Sequence, residues 1–413
     1  MAKHESGTKT RLFTANFTLL LLGQVSSLFG NVTLRFALSM YVLDLTGSAG
    51  VFSLITAASM LPTVLLSPLG GVLADRADRR RIMVTLDTLS ALAVVAAALC
   101  LPLSELGTTA ALLILLSVLA AFESPTVQAC VPQMLTGDNV LRGNALVSQV
   151  QALASLLGPF LGAAAYTYLG MQTVMAGAAL CFFVTALFET GIKLPPAAAQ
   201  ARSGAFQTVK SDLAESWRFI RREQPEVLST LLFAALASAL LAGVMVVGYP
   251  YLVRTVLGLP SGYYGAAESA AGVAAVLGSA LAGMLATRGG NIARAAVLCA
   301  GLALLPSAAA FAPGVGQVPA FVILVVSFSL AQAACSAFSV CAITRIQSLT
   351  PEHLTGKVMS FVYTLSMCAQ PLGQIIYGAL FDALSPAWVL VPSAVLVLIC
   401  SFIYGRNRTN GLN

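Results

Sequence analysis

The chain has 413 residues, 58% of them hydrophobic and 9% charged, with a net charge of +6 and a mean hydropathy of +0.88. Soluble domains carry about 25% charged residues, so this chain has too little polar surface to face water on all sides. A soluble enzyme, a disordered chain and a coiled coil are excluded, and the lack of alternating segments of ~10 residues argues against a β-barrel. The apolar residues run instead in stretches near the ~20 needed to cross a bilayer as helix.

Taken in chain order, with glycine, proline and charge clusters as punctuation, the sequence predicts twelve spans. They cover residues 14–43, 50–74, 82–103, 109–132, 140–167, 171–192, 227–253, 261–287, 293–312, 318–344, 354–382 and 386–404. The polar, basic stretch before the first span has no cleavable signal, and that span is too long for a signal-peptide core. Positive charge resists translocation, and a cytoplasmic N-terminus places 20 of the 22 basic residues on the inner side. Of the other two, Arg254 falls outside and Arg35 within the first span. The expectation is therefore a multi-pass protein of the cytoplasmic membrane with both termini cytoplasmic. Its basic charge describes a membrane face and not a nucleic-acid site.

Eight cysteines lie within or at the ends of spans without CxxC spacing, and read as reduced, buried thiols. His4 and His353 both fall outside the bilayer, so no metal constellation assembles, and no phosphate-binding loop suggests a nucleotide or other cofactor.

The longest hydrophilic break, residues 194–226, separates an N-terminal bundle (1–193) from a C-terminal bundle (227–413). Within the break, Phe206, Val209, Leu213, Trp217 and Ile220 recur at helical spacing opposite charged residues, which predicts an amphipathic helix on the inner surface. The two halves repeat at a shift of about 212 residues. Gly71-Val-Leu-Ala-Asp75-Arg76 corresponds to Gly283-Met-Leu-Ala-Thr287-Arg288, and Ser148 through Pro159 to Ser360 through Pro371. The fold class expected is all-α: twelve transmembrane helices in two pseudo-symmetric six-helix bundles, repeated in parallel, an arrangement suited to rocking about a central site.

At these residues the chain resembles the major facilitator superfamily, named among parallel-repeat transporters. Gly71 through Arg81 looks like its G-x-L-a-D-R-x-G-R-[RK] signature, with Asp78 in place of the second glycine. That departure, together with Leu45-Thr46-Gly47-Ser48, Phe122 through Pro132, Leu257-Gly258-Leu259 and Ile346 through Ser360, resembles the third drug:proton antiporter branch. The branch usually has Arg where Lys357 stands. The resemblance implies export of macrolides, other lipophilic drugs or siderophores, with Asp75, Arg76 and Arg79 latching one state. Gly158-Pro159-Phe-Leu-Gly162 is similar to the end of an antiporter motif, with Ala163 for its last glycine and Ala154 where an earlier one would stand.

Independently of the family, Gly71, Asp75, Arg76, Arg79 and Arg80 form a loop whose ion pairs can form in one state and break in another. Plain topology determination by a basic loop is the simpler alternative. Ionisable groups inside spans cost several kcal/mol unless paired or wetted. Glu123, deepest in its span, is the first candidate for proton coupling and Glu268 the second. Permanent pairing of either with Arg35 is the structural alternative. Asp87 reads as a structural acid beside the basic loop, and Asp44, Glu189 and Asp382 as interfacial.

Polar stripes predict cavity-lining faces: Gln24, Ser27, Asn31 and Arg35; Ser148, Gln151 and Ser155; Ser329, Gln332, Ser336 and Ser339; and Ser360, Tyr363, Met367, Gln370, Gln374 and Tyr377. Interhelical hydrogen bonding is the alternative use. Neutral polar and aromatic groups with few charges suit an amphiphilic small molecule. The expected partners are that substrate, protons and the lipid bilayer, with the chain acting as a monomer, and no catalytic residues are assigned. An intramembrane enzyme would need a nucleophile–base pair that is absent, and a channel would need symmetric rings of polar groups.

Overall fold

The computed structural model describes residues 12–194, 217–221, 224–285 and 292–409. Helices follow the apolar runs. The first half contains α1 (Ala15–Thr46), α2 (Ala49–Arg76), α3 (Arg79–Cys100), α4 (Glu105–Met134), α5 (Asp138–Leu169) and α6 (Met171–Thr190). In the second half α7 (Pro225–Ala242) runs on through a π-helical stretch (Gly243–Gly248), one α turn (Tyr249–Tyr251) and a second π stretch (Leu252–Val256). Then come α8 (Ser261–Leu285), α9 (Ile292–Leu304) with a 3-10 extension (Leu305–Phe311), α10 (Gln317–Leu349), α11 (Glu352–Ala383) and α12 (Pro386–Thr409).

Local chemistry sets the helix ends. Thr14 accepts the N–H of Phe17 at 3.2 Å, and Gly47 closes α1 in the left-handed region, where its missing Cβ removes the steric penalty. Ser48 then caps α2 by accepting the Val51 N–H at 3.1 Å. Asp78 caps α3, its Oδ1 accepting the N–H groups of Arg80 at 3.0 Å and Arg81 at 3.3 Å. This gives the signature's departure from glycine a physical reason: the position starts a helix and uses its carboxylate to do so.

Among the described residues, ten helices are long and apolar enough to cross a membrane, α1 through α10, and Pro386–Phe402 within α12 forms a shorter apolar helix. The 32-residue α11 carries Lys357, Gln370 and Gln374 and falls outside that set. Of the predicted amphipathic helix, Phe206, Val209 and Leu213 lie outside the described residues. Phe219 and Ile220 pack with Val227, Ile346, Leu354 and Val358, and Trp217 sits 6.0 Å from Phe361, ring centre to ring centre.

Helix pairing repeats under a shift of six. In the first half α1 packs on α5 and α6, α2 on α4, and α3 on α4 and α6. In the second α7 packs on α11 and α12, α8 on α10, and α9 on α10 and α12. Two seams join the halves, α2 on α11 and α5 on α8, and the same shift exchanges them. Successive helices alternate in direction, so one end of the molecule carries the 77–78 turn (the basic face) and the other the 47–48 turn (the far face).

The apolar clusters show where the halves meet. One cluster unites Leu34, Phe36 and Phe52 of the first half with Val247, Tyr249, Tyr264 and Phe381 of the second, towards the far face. Near the basic face the clusters are separate: Phe17, Leu20, Met83, Val131 and Val147 in one half, and Val227, Ile346 and Val358 in the other. The halves are closed together at the far face.

All eight cysteines are free, but Cys100, Cys299 and Cys368 are exposed, which corrects the expectation of buried thiols. A helix surface facing hydrocarbon needs no protein cover for a side chain as apolar as a thiol.

Candidate functional site

The polar interior of the first half is built where α1 crosses α3, α4 and α6. Ser27 on α1 points its hydroxyl between two acids: Oγ lies 3.2 Å from Asp87 Oδ1 on α3 and 3.4 Å from Glu123 Oε1 on α4. Asp87 and Glu189 (on α6) are both fully buried, whereas Glu123 is half-buried. Their carboxyls stand within hydrogen-bonding reach of each other when one carries a proton. When both are ionised, Asp87 Oδ2 and both oxygens of Glu189 have no donor. The expectation that Glu189 lies at the interface is therefore corrected: the last turn of α6 packs against α1 and α3, which encloses it. Asp87 likewise belongs to a cluster of acids rather than standing beside the basic loop alone.

Two turns along α1, Arg35 donates through Nε to Asn31 Oδ1 at 2.6 Å and through an Nη to Ser117 Oγ at 2.9 Å. Its described hydrogen bonds are to neutral groups, so the alternative of a fixed Arg35 ion pair with Glu123 or Glu268 is not the arrangement found. Glu268 instead accepts a hydrogen bond from the Tyr264 hydroxyl at 3.0 Å. Tyr264 stacks on Phe36 at 5.3 Å and meets Tyr249 edge-on, and Tyr249 stacks on Phe328 at 4.3 Å. Glu268 thus stands beside an aromatic wall that Tyr264, Tyr249 and Phe328 of the second half form with Phe36 of the first.

The predicted cavity stripes separate. Asn31, Arg35, Gln332 and Gln370 are half-buried, and Gln151 and Tyr363 are exposed. Gln24 and Gln374 are enclosed by protein, the latter with Nε2 3.3 Å from Met60 Sδ across the α2–α11 seam. These two serve helix packing and do not face an open surface, because their helices turn those positions into neighbours. Tyr377 does the same, donating to Ser393 Oγ at 2.8 Å.

The antiporter-like fragment lies in a three-helix seam. A Cβ on Gly158 would stand 2.9 Å from Val32 Cβ, and one on Gly162 would stand 2.8 Å from Thr33 O, so both glycines let α5 seat on α1. The carbonyl of Pro159 faces Gly265 of α8, and Ser269 donates to Leu156 O at 3.0 Å. Thr167 and Ser261 hydroxyls join the same seam nearer the far face.

In the basic 71–81 segment, Arg79 and Arg80 make contacts within their own half. Arg79 donates to Ala74 O at 2.7 Å and Ala129 O at 2.8 Å, tying α2, α3 and α4, and Arg80 donates to Thr190 O at the end of α6. Gly71 has open space around it, Arg76 ends α2 with its side chain exposed, and the side chain of Asp75 lies outside the described residues.

A polar latch that the sequence reading missed crosses the halves at the far face. Asp382, at the end of α11, accepts from Ser48 Oγ at 2.6 Å, Ala49 N at 2.8 Å and Gly50 N at 2.9 Å, capping α2 from the other half. Arg254 pairs with Asp44, which also accepts from the Tyr166 hydroxyl at 2.8 Å. The Ser48 N-cap was a readable signal that α2 starts there; the acid completing it lies 334 residues away in sequence.

Residues 20–369 match the model of the Major Facilitator Superfamily. Multidrug efflux pump Tap of Mycolicibacterium fortuitum is 28% identical over 376 residues, covering 88% of this chain and 89% of its own. Macrolide efflux protein A of Streptococcus pyogenes is 25% identical over 175 residues, 42% of this chain, and the chain spans only 43% of that relative's length. Among solved structures, a variant of the nucleoside transporter NupG matches with a TM-score of 0.75 at 13% identity, over 95% of this chain and 99% of that one. A bacterial homologue of the iron transporter ferroportin, in an inward-facing state, gives 0.66 at 16% identity over 94% and 98%. Identities this low carry the fold alone. Helical spans paired in two repeating sets and a family match over most of the sequence lead to one conclusion: the chain belongs to the major facilitator superfamily and is a membrane transporter, not an enzyme.

Proposed function

We propose that the chain is a secondary active exporter of lipophilic or amphiphilic small molecules, exchanging them for protons by alternating access. In this reading α11 and α12 also cross the bilayer, giving twelve spans in bundles 1–193 and 227–413 joined by the 194–226 linker. Both termini and the basic face are cytoplasmic, the membrane is the cell membrane, and one chain suffices. The far-face closure then makes this the inward-open state. The basic loop of Gly71, Asp75, Arg76, Arg79 and Arg80 would latch the opposite one.

The observation that carries the coupling is Glu123: a half-buried carboxyl inside the first half, bonded to a serine and not locked to a cation. A carboxyl so placed can gain and lose a proton as the site faces either side. Arg35, Asn31, Gln332 and Gln370, with Glu268 and its aromatic wall, supply a mixed surface for an amphiphilic ligand. The names of the relatives, a multidrug and a macrolide efflux protein, support export. A dedicated exporter of one compound, such as a siderophore or lipid-like metabolite, has the same machinery and differs in the breadth of its ligand range.

The test uses inside-out vesicles with an acid interior and a panel of lipophilic cations, macrolides and siderophores. Substrate-induced proton leakage is expected from the wild type and is expected to be lost in Glu123→Gln. Wild-type transport with unchanged pH dependence in that variant would sink the coupling assignment. A response to a single compound would favour the dedicated exporter.

A further inference from the structure

The buried acids beside Glu123 carry chemistry that a lone carboxyl does not. Asp87 and Glu189 have no exposed surface, face each other from α3 and α6, and have three oxygens without a donor when ionised. Two facing carboxylates cannot both stay ionised in a site from which water is excluded, so a proton between them completes the hydrogen bonding. A metal ion is the other way to satisfy such oxygens, but among the described residues no group of three or more ligands is gathered closely enough to hold one.

The groups facing the pair come from every neighbouring element. Helix α1 presents Ser27, with Arg35 further along and reaching Glu123 electrostatically. Helix α4 presents Glu123 and, further along, Cys130, and the start of α3 carries Arg79 with Asp78 as its cap; Arg79, Asp78 and Glu189 all reach Cys130 electrostatically. Arg79 donates to the Ala74 and Ala129 carbonyls. One donor hydroxyl, Ser27, therefore serves two of the three carboxyls, Asp87 on one side and Glu123 on the other, and the Glu189 oxygens have no donor.

We propose that Asp87 and Glu189 share the exchangeable proton, and that Ser27 relays it to Glu123, the member of the cluster with exposed surface. The transfer balances without an outside reactant. The pair's proton moves onto Asp87 Oδ1 and passes to Ser27 Oγ while the hydroxyl hydrogen of Ser27 passes to Glu123 Oε1, leaving Asp87 and Glu189 both ionised only until a proton returns, Ser27 unchanged and Glu123 neutral. At 3.2 and 3.4 Å both contacts must shorten for transfer, which makes the relay sensitive to movement of α1 against α3 and α4. This rests on the reading of Glu123 as the coupling residue and extends it: the proton is stored behind Glu123, at a buried pair.

The experiment combines infrared spectroscopy of the purified full chain at neutral pH with proton-coupled transport in vesicles. Wild type is expected to show the C=O stretch of a protonated, buried carboxyl, and Glu189→Gln and Asp87→Asn are each expected to remove it. Glutamine mimics the protonated acid, so Glu189→Gln should fold, keep substrate-for-substrate exchange and lose net proton-driven transport on the order of tenfold or more. Ser27→Ala should keep the carboxyl band and slow coupled transport. No band in wild type, or a band unaffected by either pair substitution, overturns the proposal whatever the transport result. Wild-type coupled transport in Ser27→Ala overturns the relay. Wild-type pH dependence in Glu189→Gln with coupling lost only in Glu123→Gln overturns the pair and leaves the exporter reading standing. Coupling intact in Glu123→Gln, with the band present and removed by Glu189→Gln, defeats the earlier reading instead.

Discussion

Asp382→Ala will shift the protein towards opening at the far face. The substitution removes one carboxylate that accepts from Ser48 Oγ, Ala49 N and Gly50 N, and so strips α2 of the cap supplied by the other half. Hydrogen bonds to a charged group contribute about 1.5–3 kcal/mol each when sheltered, but Asp382 is largely exposed. Discounted for solvent, the three together stabilise closure by about 2 kcal/mol, or roughly thirtyfold in the ratio of closed to open molecules. Pulsed electron-spin distances between labels at Leu103 and Ala312, in a cysteine-free background, will read the shift as a longer population. Asp382→Asn, which keeps an acceptor oxygen, should fall between. Unchanged distance distributions in the alanine variant would remove Asp382 from the closing machinery. Arg254→Gln is expected to have a smaller effect in the same direction, since the partly exposed pair with Asp44 leaves the α5–α8 seam intact.

Gly373→Val will prevent folding. A Cβ at Gly373 would stand 2.8 Å from Ala239 Cα, with the Ala239 carbonyl closer still, and the Gly373 carbonyl itself lies 2.8 Å from where a Cβ on Gly243 would be. The obstacle is backbone on both sides, so no rotamer can swing away and α11 must move off α7. Overpacking of this kind costs about 3 kcal/mol or more. Detergent-solubilised protein is expected to lose its monodisperse peak in size-exclusion chromatography. Gly283→Ala, with open space around it, is the control and should behave as wild type. A folded Gly373→Val protein with a wild-type melting temperature would contradict the close approach of α7 and α11.

The spans were legible because hydrocarbon demands apolar runs of a set length: among the described residues ten of the predicted runs fall on helices long and apolar enough to cross a membrane, and the last two fall on α11 and α12. The long helix α4 overshoots its predicted run at both ends, since capping and solvent-facing turns extend beyond the apolar stretch. Glu123 and Arg35 stood out because a charge within an apolar run is visible without knowing its neighbours. What could not be read was which helices meet. Glu189 looked interfacial by its place near the end of a span, and only the packing of α6 on α1 and α3 encloses it. Gln24 and Gln374 sat on polar stripes with Asn31 and Gln370, yet a helix surface of mixed polarity can face a neighbour as well as a cavity. Asp78 was read as a lapse from a glycine motif, although an aspartate followed by a helical run is a cap signal in its own right.

The π-helical turns of α7 set the rotational phase of everything after them. Each such turn holds one residue more than an α turn, and one residue of offset rotates the downstream helix by about 100° and shifts it about 1.5 Å along its axis. The second stretch, Leu252–Val256, contains Arg254, which reaches Asp44 on α1 and the carbonyl of Leu259. Were Gly243–Gly248 to rewind into regular α geometry with no residue removed, the helix after it would be offset by that one residue while its composition stayed the same. Arg254 would then be carried around the axis, away from Asp44, so a change invisible to composition would detune the far-face closure by altering aim alone.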